Sequence, residues 1–508
     1  MRASASWFLP TLGGTPFTHK PPLHFWLVDA LTLLFGTYST WAFVLPSIAG
    51  FLFLAWVVGR MASSPLTRPL RGHPLPARAG RGALDGREGL LPAARGEGAR
   101  RADEGRRSNT LAAFICCSSL MIWGSAQTAR MDVSFTAFLA LGAWLLFDWL
   151  ETGRGSKGVK AGAAFGIATM IKGPMAPVIA IVLFVLELAR RRQRVRAREG
   201  VLALGVMAAI PLAWFIPAAI AGGDAYRHDV IVKQTVGRAL SSWVHQAPPW
   251  YYVAHLPGVL FPWFILAAMA AWTFRRGTPL QRFCLSWIAA VLLPYSLMSS
   301  KLDIYMMALL PPVAILVADL VHAGAAGIRK ANAAMLILYA LVGIAGMVTP
   351  ARLIKGADLL GRDDVRLLFA VLAGFAIMEL LLMPRRSLTA SVLAVGLVPL
   401  APLAYAGAVL MPLANGIAST RPLIAALERQ HVPAEQMALF TCPYLWSRDF
   451  PRELERVRYT SPEDLRTSQP ALIATSRAHA NEIAFALRGY RRVESVQMIG
   501  KWFDVYRR

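Results

Sequence analysis

The feature that most constrains this chain is a rhythm. Apolar runs of about 13–24 residues alternate with short connectors, and every second connector is rich in arginine or lysine. A run of about 20 apolar residues crosses a bilayer as a helix, because hydrocarbon offers no partner to backbone N–H and C=O groups. The runs fall at 41–58, 109–129, 133–150, 159–171, 174–189, 201–220, 251–272, 283–298, 304–321, 331–348, 365–383 and 388–411. They predict a membrane all-α protein, a polytopic helical bundle of about 12 spans. The pair at 159–171 and 174–189 is short, and the run 23–35 is shorter than a span needs, so it reads as an interfacial helix. Charged residues make up 16% of the chain, below the roughly 25% of a soluble protein.

The basic connectors fix the orientation. Residues 60–107, 154–160, 190–198, 275–282, 329–330 and 385–386 lie on alternate connections, so all six face one side, the cytoplasm. The opposite side receives the N-terminal loop, 130–132, 172–174, 222–250, 299–305, 350–364 and the C-terminus. The net charge of +24 therefore belongs to cytoplasmic loops, and nucleic-acid binding is excluded. Cys116, Cys117 and Cys284 sit inside apolar runs and Cys442 stands alone, which indicates neither a disulfide framework nor a metal cluster.

Two segments depart from the rhythm. Residues 60–107 hold eleven Arg, no Lys, eight Gly and no aromatic residue. Such text cannot bury a core; it reads either as a disordered cytoplasmic linker or as GC-rich coding out of frame. Residues 415–508 mix polar and apolar positions, helix-like at 421–430 and 478–488 and strand-like at 437–441, 471–475 and 494–506. The expected organisation is an outer-face loop and interfacial helix at 1–40, a transmembrane domain at 41–412 and a small soluble α/β domain at 415–508, outside the membrane.

Charges at the ends of outer-side spans are the candidates for chemistry. Lys20 precedes Pro21-Pro22 at the mouth of an apolar run, held on a stiff elbow that suits an anionic headgroup or phosphate. Arg130 and Asp132 lie in a very short turn, Lys172 in Lys172-Gly173-Pro174, and Lys301, Asp303 and Tyr305 in another turn. Each alone reads as interface decoration, with lysines snorkelling to water. Several short turns sharing the pattern point to a common polar cavity. Lys20, Arg130, Lys172, Arg238 and Lys301 would make it cationic, fit for a lipid phosphate, with Arg238 able to clamp it bidentately. Asp132 and Asp303 would orient those cations, bind sugar hydroxyls or pair with a neighbour. The aromatics of Pro249-Trp250-Tyr251-Tyr252 read as an interfacial belt, and His228 and His245 as lone histidines.

In order, Ser6-Trp7-Phe8-Leu9-Pro10, Lys20-Pro21-Pro22, Ala129-Arg130-Met131-Asp132, Lys172-Gly173-Pro174, Gly222-Gly223-Asp224 with Gly237-Arg238, Pro249 to Tyr252 and Ser300-Lys301-Leu302 with Tyr305 form a set. The set resembles the bacterial membrane glycosyltransferases of the aminoarabinose-transferase and protein O-mannosyltransferase superfamily, over roughly residues 6–322. The resemblance implies a GT-C-like fold, an active site at the outer leaflet and a polyprenyl-phosphate sugar donor. By position, Lys20 and Arg238 look like phosphate contacts and Tyr305 like a substrate-pocket aromatic.

Two departures matter. The family carries an Asp-Glu pair, its proposed base, shortly before the Trp-x-x-Pro element, and this chain starts after that point; the expectation is a chain truncated at its start. The residue before the Lys is often acidic in the family and is His19 here, so no metal ligand is assigned and a divalent metal stays open. Asp132 is the substitute catalytic residue. The resulting reading is a multi-pass inner-membrane glycosyltransferase that moves a sugar from a polyprenyl phosphate to lipid A or another periplasmic glycan or lipid. The competing readings are a transporter or flippase for a lipid-linked sugar, in which an internal repeat is common and none is visible here, and an inactive lipid-binding paralogue.

Overall fold

A computed structural model describes residues 7–12, 15–36, 39–63, 110–192, 195–230, 247–350, 362–442, 458–459, 462–498 and 501–508. The segment 60–107 falls almost wholly outside the described residues, as does Arg238. The chain forms two compact units: residues 1–10, 16–335 and 385–397, and residues 11–15, 336–384 and 398–508.

The first unit is helical. The two-residue strands β1 (Thr11–Leu12) and β2 (Thr15–Pro16) pair with each other, residues 11–15 belonging to the second unit. Then follow α1 (Leu23–Phe35), α2 (Thr40–Ala62), α3 (Thr110–Cys117), α4 (Leu120–Gln127), α5 (Asp132–Thr152), α6 (Gly155–Lys172), α7 (Met175–Arg191) and α8 (Ala197–His228). Helices Tyr251–Val259, Phe264–Thr273, Pro279–Leu297, Leu310–His322 and Leu388–Leu397 complete the apolar helices lying wholly in this unit, and Ile328–Val348 begins in it. The run 23–35 is a helix with the expected bounds, Leu23–Phe35.

Among the described residues eight helices are long and apolar enough to span a membrane, or ten if each of two bent pairs is one span. All twelve expected runs are helical among the described residues, two of them bent. Run 109–129 is not one straight helix: α3 and α4 meet at 70°. Ser118 and Ser119 stand at the break, and their hydroxyls donate back to the carbonyls of Phe114 at 2.7 Å and Ile115 at 3.1 Å, competing with the helical ladder. Run 251–272 likewise bends by 113° between Tyr251–Val259 and Phe264–Arg276, where Pro257 and Pro262 each remove a backbone donor. The remaining two of the dozen are α6 and α7. They are helices of 18 and 17 residues, but three lysines and many small residues keep α6 weakly apolar, and α7 ends in Arg190-Arg191.

Small residues let the central helices approach closely. A Cβ on Gly162 of α6 would lie 2.2 Å from the Ala203 carbonyl oxygen of α8, and one on Gly142 of α5 would meet the Phe165 ring at 2.7 Å. Between α2 and α5, the Ser134 hydroxyl donates to the Pro46 carbonyl at 3.0 Å and Ser47 donates to the Arg130 carbonyl at 2.8 Å. Ion pairs gather at the far ends of α5–α7. Arg190 and Arg191 both bind Glu187, whose side chain is fully buried, Arg191 also binds Glu151, and Lys157 Nζ lies 3.0 Å from Asp148. The basic connectors 154–160 and 190–198 therefore converge on one end of these helices.

The second unit contains helices Arg362–Leu382 and Leu400–Tyr405, with the Tyr405 hydroxyl donating to Asp364 at 3.1 Å, and the C-terminal α/β domain. Strands β3 (Met437–Phe440), β4 (Arg458–Tyr459), β5 (Leu472–Ser476), β6 (Arg491–Met498) and β7 (Lys501–Arg507) form a mixed sheet in the order β4-β3-β5-β7-β6. β3 runs parallel to β4 and β5, while β7 is antiparallel to both its neighbours. Helix Arg421–Glu428 buries Leu423 and Leu427 against Met437, Leu439, Leu472, Phe503 and Val505. Two local expectations fail. The stretch 494–506 is two paired strands, and 478–488 opens as a 3-10 turn, Arg477–Ile483. There Arg477 turns back to bind the Asp504 carboxylate with two nitrogens, at 2.9 and 2.7 Å.

Candidate functional site

Helices α5 and α6 form an antiparallel hairpin, closed by Gly153 in the left-handed conformation at φ 67°. The first residue of α5 therefore meets the last of α6. Those residues are Asp132 and Lys172, and the Lys172 ammonium donates to the Asp132 carboxylate. Their side chains are only 11% and 10% exposed. Each sits at the helix end its charge prefers, the carboxylate at an N-terminus and the ammonium at a C-terminus.

Aromatic rings wall the pair. Lys172 Nζ lies 4.8 Å from the Tyr305 ring centroid and 5.4 Å from that of Phe135. Tyr305 stacks on Tyr295 at 5.1 Å, Tyr295 meets Tyr252 edge-on at 6.4 Å, and Tyr252 meets Tyr251 at 5.2 Å. Tyr305 is carried by the 3-10 turn Asp303–Leu309, which Leu310-Pro311-Pro312 converts into a helix. This turn also begins with Asp303, whose carboxylate lies 2.9 Å from His255 Nδ1.

The N-terminal loop is pinned to the same end. Trp26 Nε1 donates to the Trp7 carbonyl at 2.9 Å and Trp214 Nε1 donates to that of Phe8 at 2.8 Å. Leu9, Leu23 and Trp26 pack on Met170, Trp214 and Tyr226. Met170 lies two residues before Lys172, so the Pro21-Pro22 elbow carries Lys20, half-buried, to the end of α6 that holds the ion pair. One turn further on, His24 is 5% exposed and its Nδ1 has no partner among the described residues. Burial pushes its pKa below the usual imidazole range, while the Asp132 carboxylate opposes that shift.

The sequence candidates thus separate. Lys20, Asp132, Lys172 and Tyr305 gather at one end of the bundle. Arg130 is exposed beside them, near enough for its charge to act on Lys172. Asp303 lies two residues from Tyr305 but faces His255. Lys301 behaves differently. It is 3% exposed, and its ammonium donates to the carbonyls of Tyr295 at 3.3 Å, Ser296 at 2.9 Å and Met298. It caps the end of helix Pro279–Leu297, and its three donors are saturated there. His24, Phe135, Tyr295 and His255 escaped the sequence reading, and Tyr252 was read there as a belt aromatic of the Pro249-Trp250-Tyr251-Tyr252 motif. No group of three His, Cys, Asp or Glu side chains converges among the described residues, and exposed His19 stacks on Phe17 at 5.3 Å. The described residues build no cluster that fits a divalent cation beside Lys20.

A family model described as dolichyl-phosphate-mannose-protein mannosyltransferase matches residues 103–220, the stretch that contains Asp132 and Lys172. The chain is also similar to an undecaprenyl phosphate-alpha-4-amino-4-deoxy-L-arabinose arabinosyl transferase of Edwardsiella ictaluri, 26% identical over 68% of this chain and 57% of that protein. It matches one so named from Erwinia tasmaniensis at 31% identity over 42% of this chain and 40% of that one. The crystal structure of ArnT from Cupriavidus metallidurans bound to undecaprenyl phosphate superposes with a TM-score of 0.69 at 18% identity, over 99% of this chain and 91% of that chain. Over residues 103–220 the chain is similar to the protein O-mannosyltransferase family, and over about two thirds of its length to an aminoarabinose transferase. The fold, a polytopic helical bundle followed by a small sheet domain, is shared with that ArnT structure. The chain spans between about two fifths and three fifths of the length of the curated relatives it matches.

Proposed function

We propose that this chain is an integral membrane glycosyltransferase that moves a sugar from an undecaprenyl-phosphate-linked donor to lipid A or another glycan or lipid acceptor. Its place in this reading is a bacterial inner membrane, with the site and the C-terminal domain on the periplasmic side, because the basic connectors belong in the cytoplasm. The observation that carries the proposal is the buried Lys172–Asp132 pair under Tyr305, at the helix end that also receives Lys20.

The chemistry follows from charge. When the bond between the anomeric carbon and the phosphate oxygen breaks, negative charge grows on the phosphate, and fixed cations in a poorly hydrated site stabilise it. Lys172 has three N–H donors and gives one to Asp132; the others can serve a phosphate. Asp132 orients Lys172 by accepting from its ammonium. That ion pairing suits Asp132 to positioning better than to taking a proton. Lys20, on its elbow, supplies a second cation, and the tyrosine array offers faces for a sugar ring.

The proposal is tested by reconstituting the protein in liposomes with undecaprenyl phosphate-linked 4-amino-4-deoxy-L-arabinose and lipid A. The expected result is sugar on the acceptor and free undecaprenyl phosphate, both abolished in Lys172→Met. Movement of the intact donor across the bilayer without cleavage would instead establish the flippase reading.

A further inference from the structure

Helices α7 and α8 both pack on α6 and make no extended contact with each other. Between them lies a groove of about 410 Å³, counting its open mouth. Its floor is backbone and small side chains, Gly158 and Gly162 of α6 with Gly200 and Ala203 of α8. The space is real at Gly200, where an added Cβ would meet nothing within 4 Å. Phe184 of α7 lines one side, stacked on Trp149 of α5 at a centroid distance of 5.6 Å. Ile181 and Leu204 also line the groove and are 45% and 49% exposed; on a spanning bundle such surface meets hydrocarbon. Among the described residues no charged side chain lines it. From Gly158 to Phe165 on α6 it runs about 10 Å, two helical turns, within a leaflet whose hydrocarbon is about 15 Å deep.

The groove ends in positive charge. α6 and α8 begin, and α7 ends, at the same end of the bundle. Arg154 and Arg196 stand four residues before Gly158 and Gly200, and Arg192 eight residues after Phe184, so all three lie beyond the groove at that end. All three are exposed. Arg196 lies 3.6 Å from Glu199, whose carboxylate also accepts from Trp149 Nε1 at 3.1 Å. Arg154 and Arg192 have no carboxylate partner among the described residues. The other acids at this end are already engaged, Asp148 by Lys157, Glu151 by Arg191, and Glu187 by Arg190 and Arg191. An apolar trough under exposed guanidinium groups complements a fatty chain that ends in a phosphate. We infer that the groove seats an acyl chain of an anionic phospholipid from the leaflet at the basic end, with its headgroup phosphate on Arg154, Arg192 and Arg196. The chain fills the gap between α7 and α8 and ties both to α6. Asp132 and Lys172 stand at the opposite end of α5 and α6, so the inference does not depend on the transferase reading, and this lipid is not the donor proposed there.

The test uses the purified full-length protein in detergent micelles, titrated with palmitoyl-oleoyl phosphatidylglycerol or with phosphatidylcholine of the same chains. Binding is read by native mass spectrometry and stability by unfolding temperature. Wild type is expected to bind phosphatidylglycerol saturably, about tenfold or more tighter than phosphatidylcholine, and to unfold at a higher temperature in its presence. Arg154→Gln, Arg192→Gln and Arg196→Gln together should weaken phosphatidylglycerol binding roughly 100-fold, at about one basic residue's attraction each, and leave phosphatidylcholine binding unchanged. Gly200→Leu should weaken both lipids about tenfold, the loss of about two buried CH₂ groups, because its side chain occupies the groove. Its own unfolding temperature without lipid should match or exceed wild type, since the Cβ enters open space and leucine favours helix. Equal affinity of wild type for the two lipids, the behaviour of boundary lipid only, overturns the inference. So does a Gly200→Leu protein that binds phosphatidylglycerol like wild type. A triple arginine variant that keeps the wild-type preference overturns it however Gly200→Leu folds. Undecaprenyl phosphate that displaces phosphatidylglycerol from the Gly200→Leu-sensitive site at lower concentration would give the groove to a polyprenyl chain and overturn it too, as would a dimer that Gly200→Leu abolishes.

Discussion

Replacing Lys172 by methionine keeps most of the side-chain volume but removes the charge that faces Asp132. At an ordinary hydrogen-bond separation of ~3 Å and an effective dielectric of ~20, the attraction is about 5–6 kcal/mol, much of which offsets the cost of burying both ions. Asp132 is only 11% exposed, so water cannot replace the lost partner. Breaking a buried pair from one side costs about 3–5 kcal/mol, and the contacts to the Tyr305 and Phe135 rings add about 0.5–2 kcal/mol. Lys172→Met should therefore lose about 3.5–7 kcal/mol of unfolding free energy in mixed micelles. Lys172→Met combined with Asp132→Leu should recover to within about 1 kcal/mol of wild type, since no orphaned charge remains. Sugar transfer should be absent from both. A single variant as stable as wild type, or a double variant no more stable than the single, would refute the claim that the pair is buried and mutually dependent.

Lys20→Ala should weaken undecaprenyl phosphate binding tenfold to a hundredfold, about 1.5–3 kcal/mol of charge-assisted contact, without unfolding; Lys20→Arg should recover only part, and full affinity in Lys20→Ala would remove it from the site. Gly162→Ala should cost about 1–3 kcal/mol by overpacking, because its Cβ meets the Ala203 carbonyl oxygen and backbone must move; unchanged unfolding would show that α6 and α8 do not pack so closely. In the C-terminal domain, the Arg477 guanidinium holds the Asp504 carboxyl below the usual carboxylate range, against the opposing effect of burial, with Ser495 and Arg492 assisting. A depressed folded pKa stabilises fully above the unfolded value of about 3.9, and the effect is lost as pH falls through the lower folded value. Resistance of the β6–β7 pair to proteolysis should thus decline below about pH 4. Asp504→Asn should lose about 1.5–3 kcal/mol at neutral pH and show no decline in that window.

The span pattern was legible because hydrocarbon burial is written into composition. The bends were not. Apolar text continues unbroken through Ser118-Ser119 and through Pro257 to Pro262, and hydropathy is blind to a hydroxyl that bonds back to its own helix. Lys172 and Asp132 were legible as charges at the ends of outer-side spans, 40 residues apart in sequence. Their pairing needed the hairpin geometry of α5 and α6. Lys301 illustrates the opposite failure. A lysine in an outer turn resembles a ligand until the helix C-terminus it caps is known. His255 was hidden in a stretch that reads as an aromatic belt, and only the fold places Asp303, 48 positions away by the numbering of the pair, against its Nδ1. In the sheet domain, β6 and β7 read as one strand because their shared alternation carries across Ile499-Gly500.

The central claim is that the Lys20 elbow, the Lys172–Asp132 pair and Tyr305 together hold an undecaprenyl-phosphate-linked sugar. The most direct measurement is binding of radiolabelled undecaprenyl phosphate to the purified protein in nanodiscs, compared between wild type and Lys172→Met/Asp132→Leu, the stable double variant. The account expects saturable binding by wild type, competed by the sugar-linked donor, and a loss of at least tenfold in the variant. Equal affinity in the two proteins would contradict it.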